Sequence, residues 1–407
     1  MLDGLRILHI HTLPIVSGSG INTFLSMEGS RRQGAEVSLA CAPGGRLEEV
    51  VRQSGMGFFP IRNFVSPVSP WRDLDALWQL LRLLRREHFD IVHTHNSKAG
   101  FLGRLAARTL GVPLLVHTVH GFAFHGQESR LRRRLFVWLE RLAARWSHQL
   151  IAISQAMIDW AQKEGIADSS RFAKVYSGIE VDRFKSAAQD PELKRQLGIR
   201  QGQVVIGMVS KLWQGKGHQV LIQAASRLES QGLPFQILIV GEGGLEADLK
   251  AMVKRRGLEE RVCFAGFRSD LPQVTAQLDI ACLPSFYEGM GRVALEAMAA
   301  GKPMVASAVG GLAELVQDGV TGFLVPAGDP DALASRLERL VSDSALRCKM
   351  GEEGARRVDE RFSAARMIEQ IHQIYQRLLT ECGGSAVREP ARASDWQPAG
   401  QAGGTRP

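Results

Sequence analysis

The stretch Asp279–Gly311, D-I-A-C-L-P-S-F-Y-E-G-M-G-R-V-A-L-E-A-M-A-A-G-K-P-M-V-A-S-A-V-G-G, decides the fold. Asp279 to Leu283 is a short apolar run closed by Pro284 and Ser285, as expected of a strand buried on both faces of a parallel sheet. Arg292 to Ala300 places Val293, Leu295, Ala297 and Met298 at helical spacing, and Gly301 follows as the helix stop. Lys302 to Ser307 reads as the next strand. Between strand and helix lies Glu288-Gly289-Met290-Gly291, whose glycines let a backbone approach a ligand closely. The helix start presents free N–H groups and a positive dipole end, which favour an anion such as a phosphate. Glu288 would then sit at the carboxyl end of a strand, where open α/β sheets bind ligands, and Glu296 about one turn inside the helix.

These residues carry a resemblance. E-G-M-G-R-V-A-L-E followed by A-M-A-A-G-K-P-M-V-A is similar to the E-x(7)-E motif of the retaining glycosyltransferases of family 4, and the similarity runs across most of residues 5–380. It implies a GT-B fold: two doubly wound α/β, Rossmann-like domains facing across a cleft. It places Glu288 beside the transferred sugar and Glu296 on the nucleotide ribose, with Gly289, Met290 and Gly291 lining the donor site.

Composition sets the bounds. The 407 residues predict two or three domains, and 45 % hydrophobic content is ordinary for a globular protein. No run approaches the roughly 20 apolar residues of a membrane span, and the first residues enter a strand without signal-peptide order. Cys41, Cys263, Cys282, Cys348 and Cys382 form no C-x-x-C pair, and the first three fall in apolar strands. Reduced core cysteines and a cytoplasmic location are expected, on the inner face of the membrane if peripheral. The net charge is +8, and no nucleic-acid module is visible, so no nucleic-acid partner is expected. The charge concentrates in Arg130–Trp146, which holds six Arg and one Glu. There Leu131, Leu135, Trp138, Leu139, Leu142 and Trp146 follow helical spacing. Either this helix docks on an anionic membrane, its Arg charge aided by Phe136, Trp138 and Trp146, or Leu131, Leu135, Trp138 and Leu142 pack on the first domain and leave a solvated Arg face. Both hold if the stripe is core and the Arg side faces the membrane.

In chain order, Leu5–Leu13 reads as a first strand followed by Ser17-Gly18-Ser19-Gly20 and a helix to Arg32. By the resemblance, Gly18 and Gly20 lie near the donor phosphates. Asp73-Leu74-Asp75 is formally a D-x-D metal string, but acidic residues in a first helical turn are accounted for by capping and the dipole. His93, His95, His117, His120 and His125 raise a metal cluster. Strand alternation puts only His93 and His95 on one face, and no metal or other cofactor is expected. The resemblance instead points His120, in His120-Gly121-Phe122, at the transferred sugar, ahead of His125. Arg171–Ile179 reads as the last strand of the half, and Y-S-G-I-E-V-D-R-F resembles the family's entry to its linker, with Ser177 where Asn is usual.

The second half opens with Val204–Ser210, then Lys211-Leu212-Trp213-Gln214-Gly215-Lys216-Gly217 and a helix from His218. Two cations at such a turn suit a diphosphate held without a metal. In the family the first is usually Arg, so Lys211 offers a point charge in place of a bidentate fork. Gly266, Phe267 and Arg268 end a later strand where the resemblance implies contact with the nucleobase. Glu353–Phe362 and Ala364–Leu379 read as amphipathic helices, the last returning to the first domain. The expected division is 1–182 with 363–382, 183–362, and a disordered tail 383–407.

The βα repeat shows two ligand-binding domains but not their chemistry. The resemblance implies a retaining transferase that moves a sugar from a nucleotide-diphosphate sugar to a saccharide or polyprenyl-linked acceptor, in surface-polysaccharide or lipopolysaccharide assembly. A nucleotide-sugar 2-epimerase and a non-catalytic nucleotide-sugar-binding protein on the same fold remain alternatives.

Overall fold

The computed structural model describes residues 2–124 and 129–382; His125 and the tail 383–407 lie outside the described residues. Two wholly parallel sheets form. The first contains β1 (Arg6–Ile10), β2 (Glu36–Cys41), β3 (Gly57–Pro60), β4 (Ile91–His95), β5 (Leu114–Val119), β6 (Gln149–Ala152) and β7 (Phe172–Lys174). Its spatial order is β3-β2-β1-β4-β5-β6-β7. The second contains β8 (Val204–Val209), β9 (Phe235–Val240), β10 (Val262–Gly266), β11 (Ile280–Leu283), β12 (Met304–Ser307) and β13 (Gly322–Val325), in the order β10-β9-β8-β11-β12-β13. Both orders reverse direction once, between β1 and β4 and between β8 and β11, and such switch points are where open α/β sheets bind ligands.

Helices cover both faces of the first sheet. Ile7, Val37, Leu39 and Ile91 pack on one face with Met367, Ile371 and Tyr375 of the Ala364–Glu381 helix. Leu8, Ile10 and Val92 alternate to the other face, against Leu80, Leu84 and Leu102. The returning C-terminal helix also meets the Gly18–Arg32 helix, where Ser30 Oγ lies 3.2 Å from His372 Nε2. Strands of the second sheet are apolar on both faces: most of their residues join one large core with their helices, while Val205, Leu238 and Val240 pack in a smaller cluster with Leu193, Leu197, Val274 and Leu278.

The chain passes between lobes at Gly178–Val181 and again at Phe362–Ala364. These passages are tied together: Ile179 N–H donates to Phe362 O at 3.0 Å and Ala364 N–H to Ile179 O at 2.8 Å. A Cβ on Gly178 would stand 2.6 Å from Ala364 Cα, so only glycine lets the two passages lie side by side.

Several expected boundaries move. The first strand stops at Ile10 because the chain turns there, with His11 Nδ1 donating to Leu13 O at 2.9 Å. The last strand of the first half is only Phe172–Lys174, and the rest is extended linker. The helix expected from Glu353 begins at Ser344, capped by Asp343. Cys41 and Cys282 are core residues, but Cys263 is half-buried because β10 is an edge strand.

Candidate active site

The two switch points face a cavity of about 890 Å³. From the second lobe, Trp213, Lys216 and Tyr287 to Arg292 line it; from the first, His11, Gly18, Asn96 and His120 do so, among others. β11 delivers Glu288 through the Pro284–Tyr287 turn. Its Oε1 accepts from Lys216 Nζ at 2.5 Å and from Ser285 Oγ at 3.0 Å. Lys216 comes from the turn after β8, so the pair bridges the switch point of the second sheet. Both side chains are largely buried, which strengthens their attraction relative to a surface pair.

The Glu288 turn is seated on the first lobe. A Cβ on Gly289 would stand 2.4 Å from His120 O, and Ser154 Oγ donates to Gly289 O at 2.7 Å. Glu314 fastens the lobes further. Its carboxylate accepts from Gln155 N–H at 3.0 Å and Ala156 N–H at 2.7 Å, capping the Gln155–Lys163 helix across the interface.

Glu296 lies deeper. It is 4 % exposed and does not line the cavity. Arg292, one turn earlier, donates Nε to Glu296 Oε1 at 2.9 Å, and also contacts Gly178 O and Asn22 Oδ1 in the linker and first lobe. Burial raises the Glu296 carboxyl above its ordinary range, and the Arg292 charge opposes that rise. Asn22 in turn donates to Ser177 Oγ at 2.6 Å. Ser177, Asn22, Arg292 and Glu296 thus form one polar chain across the lobes.

The other anticipated residues divide. Gly18, His120, Lys216, Glu288, Gly289, Met290 and Gly291 share the cavity. Lys211 is exposed outside it. Gly20 serves packing: a Cβ there would stand 2.4 Å from Ile15 O. Gly266, Phe267 and Arg268 lie beyond the cavity. Phe267 is 51 % exposed and stacks with Arg46 of the first lobe at 5.6 Å, while Arg268 pairs with Asp270. Asp73 accepts from Ser69 N–H at 3.1 Å and Lys98 Nζ at 2.6 Å, and Asp75 accepts from Asn63 at 2.7 Å.

The histidines are arranged otherwise than alternation alone indicates. Pairing of β1 with β4 sets His9 directly beside His93, so His9 joins His93 and His95. Ring nitrogens of these three lie within 4.8 Å of one another. His120 and His11 flank them, whereas His117 faces the opposite side toward Thr94, at 2.9 Å. Burial holds these imidazoles neutral: His9 and His120 are lowered to about 3, His11 to about 4, and His93, His95 and His117 well below the ordinary value. The signal for His9 and His11 was an H-x-H spacing in the first strand that matches His93 and His95 in the fourth.

On the outer face of the first lobe the packing alternative for the basic helix is met only in part. In the Arg130–Trp146 helix, Val137, Glu140, Ala143 and Ala144 turn inward. Glu140 pairs with buried Arg104 at 2.8 Å. Leu131, Leu135 and Trp138 are 80 %, 51 % and 58 % exposed, so much of the apolar stripe faces solvent. The Pro70–Glu87 helix repeats this with Trp71, Leu74 and Trp78 at 83 %, 58 % and 57 %. Both helices begin at the cavity, through Asp73 on one and Arg132 and Leu135 on the other.

Two parallel-sheet, Rossmann-like domains with facing switch points are the architecture of the GT-B fold. The model for glycosyl transferases group 1 matches residues 189–357, and that for a glycosyl transferase 4-like domain matches residues 17–174. The chain is 31 % identical to the UDP-Gal:alpha-D-GlcNAc-diphosphoundecaprenol alpha-1,3-galactosyltransferase of Escherichia coli, over 91 % of this chain and 96 % of the relative. It is 31 % identical to the putative glycosyltransferase EpsD of Bacillus subtilis, over 85 % and 90 %. Among solved structures, Anabaena HepE in complex with UDP-glucose superposes with a TM-score of 0.80 at 25 % identity, covering 92 % of this chain and all of that one. The chain belongs to this family of group 1, family 4-like glycosyltransferases.

Proposed function

We propose that this glycosyltransferase moves a hexose from a nucleotide-diphosphate sugar, a UDP-sugar first among candidates, to a lipid-linked saccharide, with retention at the anomeric carbon and without a metal ion. The Lys216–Glu288 pair at the second switch point, seated against His120, carries this reading. The E. coli relative uses UDP-Gal and a diphosphoundecaprenol-linked sugar, and HepE binds UDP-glucose, which supports the donor and acceptor classes.

In the step proposed, the acceptor hydroxyl attacks the anomeric carbon from the face that the diphosphate leaves. The carbon–oxygen bond to the diphosphate breaks, and the acceptor proton passes to the departing phosphate oxygen. Lys216, with Lys211 further out and the helix start at Arg292, stabilises the charge that develops there. Glu288 orients the sugar. Glu296, whose Oε1 accepts from Arg292, takes the ribose in this reading.

No helix of the described residues is long and apolar enough to cross a membrane. A lipid-linked acceptor therefore requires docking from the side. The exposed Trp71, Leu74, Trp78, Leu131, Leu135 and Trp138, interspersed with Arg72, Arg82, Arg130, Arg132 and Arg134, match an anionic bilayer.

Incubation with a panel of nucleotide sugars and a polyprenyl-diphosphate-linked sugar, with the product's anomeric configuration read by NMR, tests the reading. EDTA should leave the rate unchanged. An inverted product, or activity abolished by EDTA and restored by Mg²⁺, would overturn the corresponding part. Flotation with phosphatidylglycerol vesicles should retain the protein at low salt and release it at high salt. Indifference to these vesicles would remove the docking surface.

A further inference from the structure

Three imidazoles run in single file from the core of the first sheet to the cleft. His9 Nδ1 lies 3.0 Å from His95 Nε2, and His95 Nδ1 lies 3.1 Å from His120 Nε2. His9 and His95 are fully buried, and His120 lines the cavity. At the inner end, His9 Nε2 is buried without a hydrogen-bond partner among the described residues.

A neutral imidazole carries one N–H and one bare nitrogen. His95 uses both nitrogens, so it donates through one and accepts through the other. The rings therefore have only two settings. With every proton on Nδ1, His9 donates to His95, His95 donates to His120, and His120 is left with Nδ1–H. With every proton on Nε2, the chain runs outward to inward and ends on a His9 N–H that has no acceptor. A buried N–H without an acceptor is the more strongly avoided defect.

We propose that His95 and His9 are positioning residues that hold His120 as its Nδ1–H tautomer, so that His120 meets an oxygen of the sugar as a hydrogen-bond donor. This rests on the glycosyltransfer reading above for the identity of the ligand, but not for the tautomer. Burial keeps the rings neutral, which the two-setting rule requires.

A metal ion held by His9, His93 and His95 fits the geometry less well. The His93 and His95 rings stack at 4.4 Å and those of His9 and His95 at 5.2 Å. Lone pairs lie in the ring planes, so stacked rings do not converge on one point. His93 is also engaged at both nitrogens, with Tyr375 Oη at 2.6 Å and Thr118 Oγ1 at 2.7 Å.

Long-range ¹H–¹⁵N spectra of the full chain labelled with ¹⁵N-histidine test the proposal, with the His120 signals assigned by their loss in His120→Gln. His9, His95 and His120 should each show a protonated Nδ1 and a bare Nε2. In His95→Phe, His120 should become a tautomer mixture, and kcat should fall about tenfold with the KM for donor retained. A protonated Nε2 on His120 in the wild type would overturn the proposal. So would an unchanged tautomer in His95→Phe, or a stoichiometric metal in the purified protein with His9, His93 and His95 nitrogens shifted by it. Should His95→Phe not fold, the wild-type spectrum decides alone. Sugar transfer with His120 as Nε2–H would sink the relay and spare the function. No transfer from any donor with His120 as Nδ1–H would do the reverse.

Discussion

The two sheets share one strand order but furnish their switch points in opposite ways. At β1 and β4 the polar groups sit inside the strands, as His9, His93, Thr94 and His95, and every imidazole is kept neutral by burial. At β8 and β11 the strands are apolar, and the charged residues Lys216 and Glu288 stand on the turns that leave them. The difference follows from solvation. A strand buried on both faces has no water with which to solvate a charge, so polar chemistry within it must be neutral and bonded. A turn at the strand end can hold a full charge beside an open cleft.

The largest effect should come from the charged site. Glu288→Gln should lower kcat by about 10²–10³-fold with nucleotide affinity retained, since it removes the carboxylate charge that the proposed function sets at the reacting sugar. Equal losses in turnover and in nucleotide binding, read by steady-state kinetics and calorimetry, would break the assignment of chemistry to that turn.

Next comes the more deeply buried ion pair of the second lobe, Arg292–Glu296. Arg292→Met leaves Glu296 without its cation and should cost about 3–5 kcal/mol in urea melts. Adding Glu296→Gln should recover much of it. Failure to recover would show that the Arg292 contacts to Gly178 and Asn22 dominate.

Acid separates the lobes. His9, His11 and His120 have folded pKa values of about 3, 4 and 3, below the ordinary 6.5. The unfolded chain therefore takes up protons first as pH falls. Stability is full above about pH 6.5 and declines toward the folded values, by up to about 2 kcal/mol per ring at pH 5. Linked rings titrate together, so these losses do not simply add. The second lobe has one comparable ring, His218, lowered to about 4. Hydrogen exchange at pH 5 should release β1, β4 and β5 before β8 and β11. Equal release of both sheets would remove the contrast.

The smallest effect sharpens the comparison within the second lobe. Lys211 is exposed and outside the cavity, whereas Lys216 bonds to Glu288. Lys211→Ala should raise the donor KM by about tenfold at most, and Lys216→Ala should do more. The reverse ranking would move the phosphate site outward.

Much of this was legible in the sequence because buried parallel strands announce themselves as short apolar runs; β11 was read to within one residue and the Arg130–Trp146 helix to the residue. The glycine turn and its glutamate were legible because their chemistry is local. Three things were not. Periodicity reveals an apolar stripe but not which way it faces, so it left open whether Leu131, Leu135 and Trp138 pack on the first domain or face outward; Glu140 is the side chain drawn inward by Arg104. The His9–His93 pairing depends on strand order, which sets residues 84 apart side by side and which no local pattern encodes. The i,i+4 spacing of Arg292 and Glu296 was visible, but their burial depends on how the linker closes over them.

The paired passages at Ile179 and Ser363 bear on motion. A single strand between two bodies is a swivel and lets them tumble relative to one another. Two strands bonded edge to edge resist twisting and leave bending about their common line as the soft mode. Opening should then be a page-like swing that lifts Gly289 away from His120 O and Glu314 from the Gln155 helix together. The Glu288 turn and His120 would part and meet along one path, arriving each time in the same alignment.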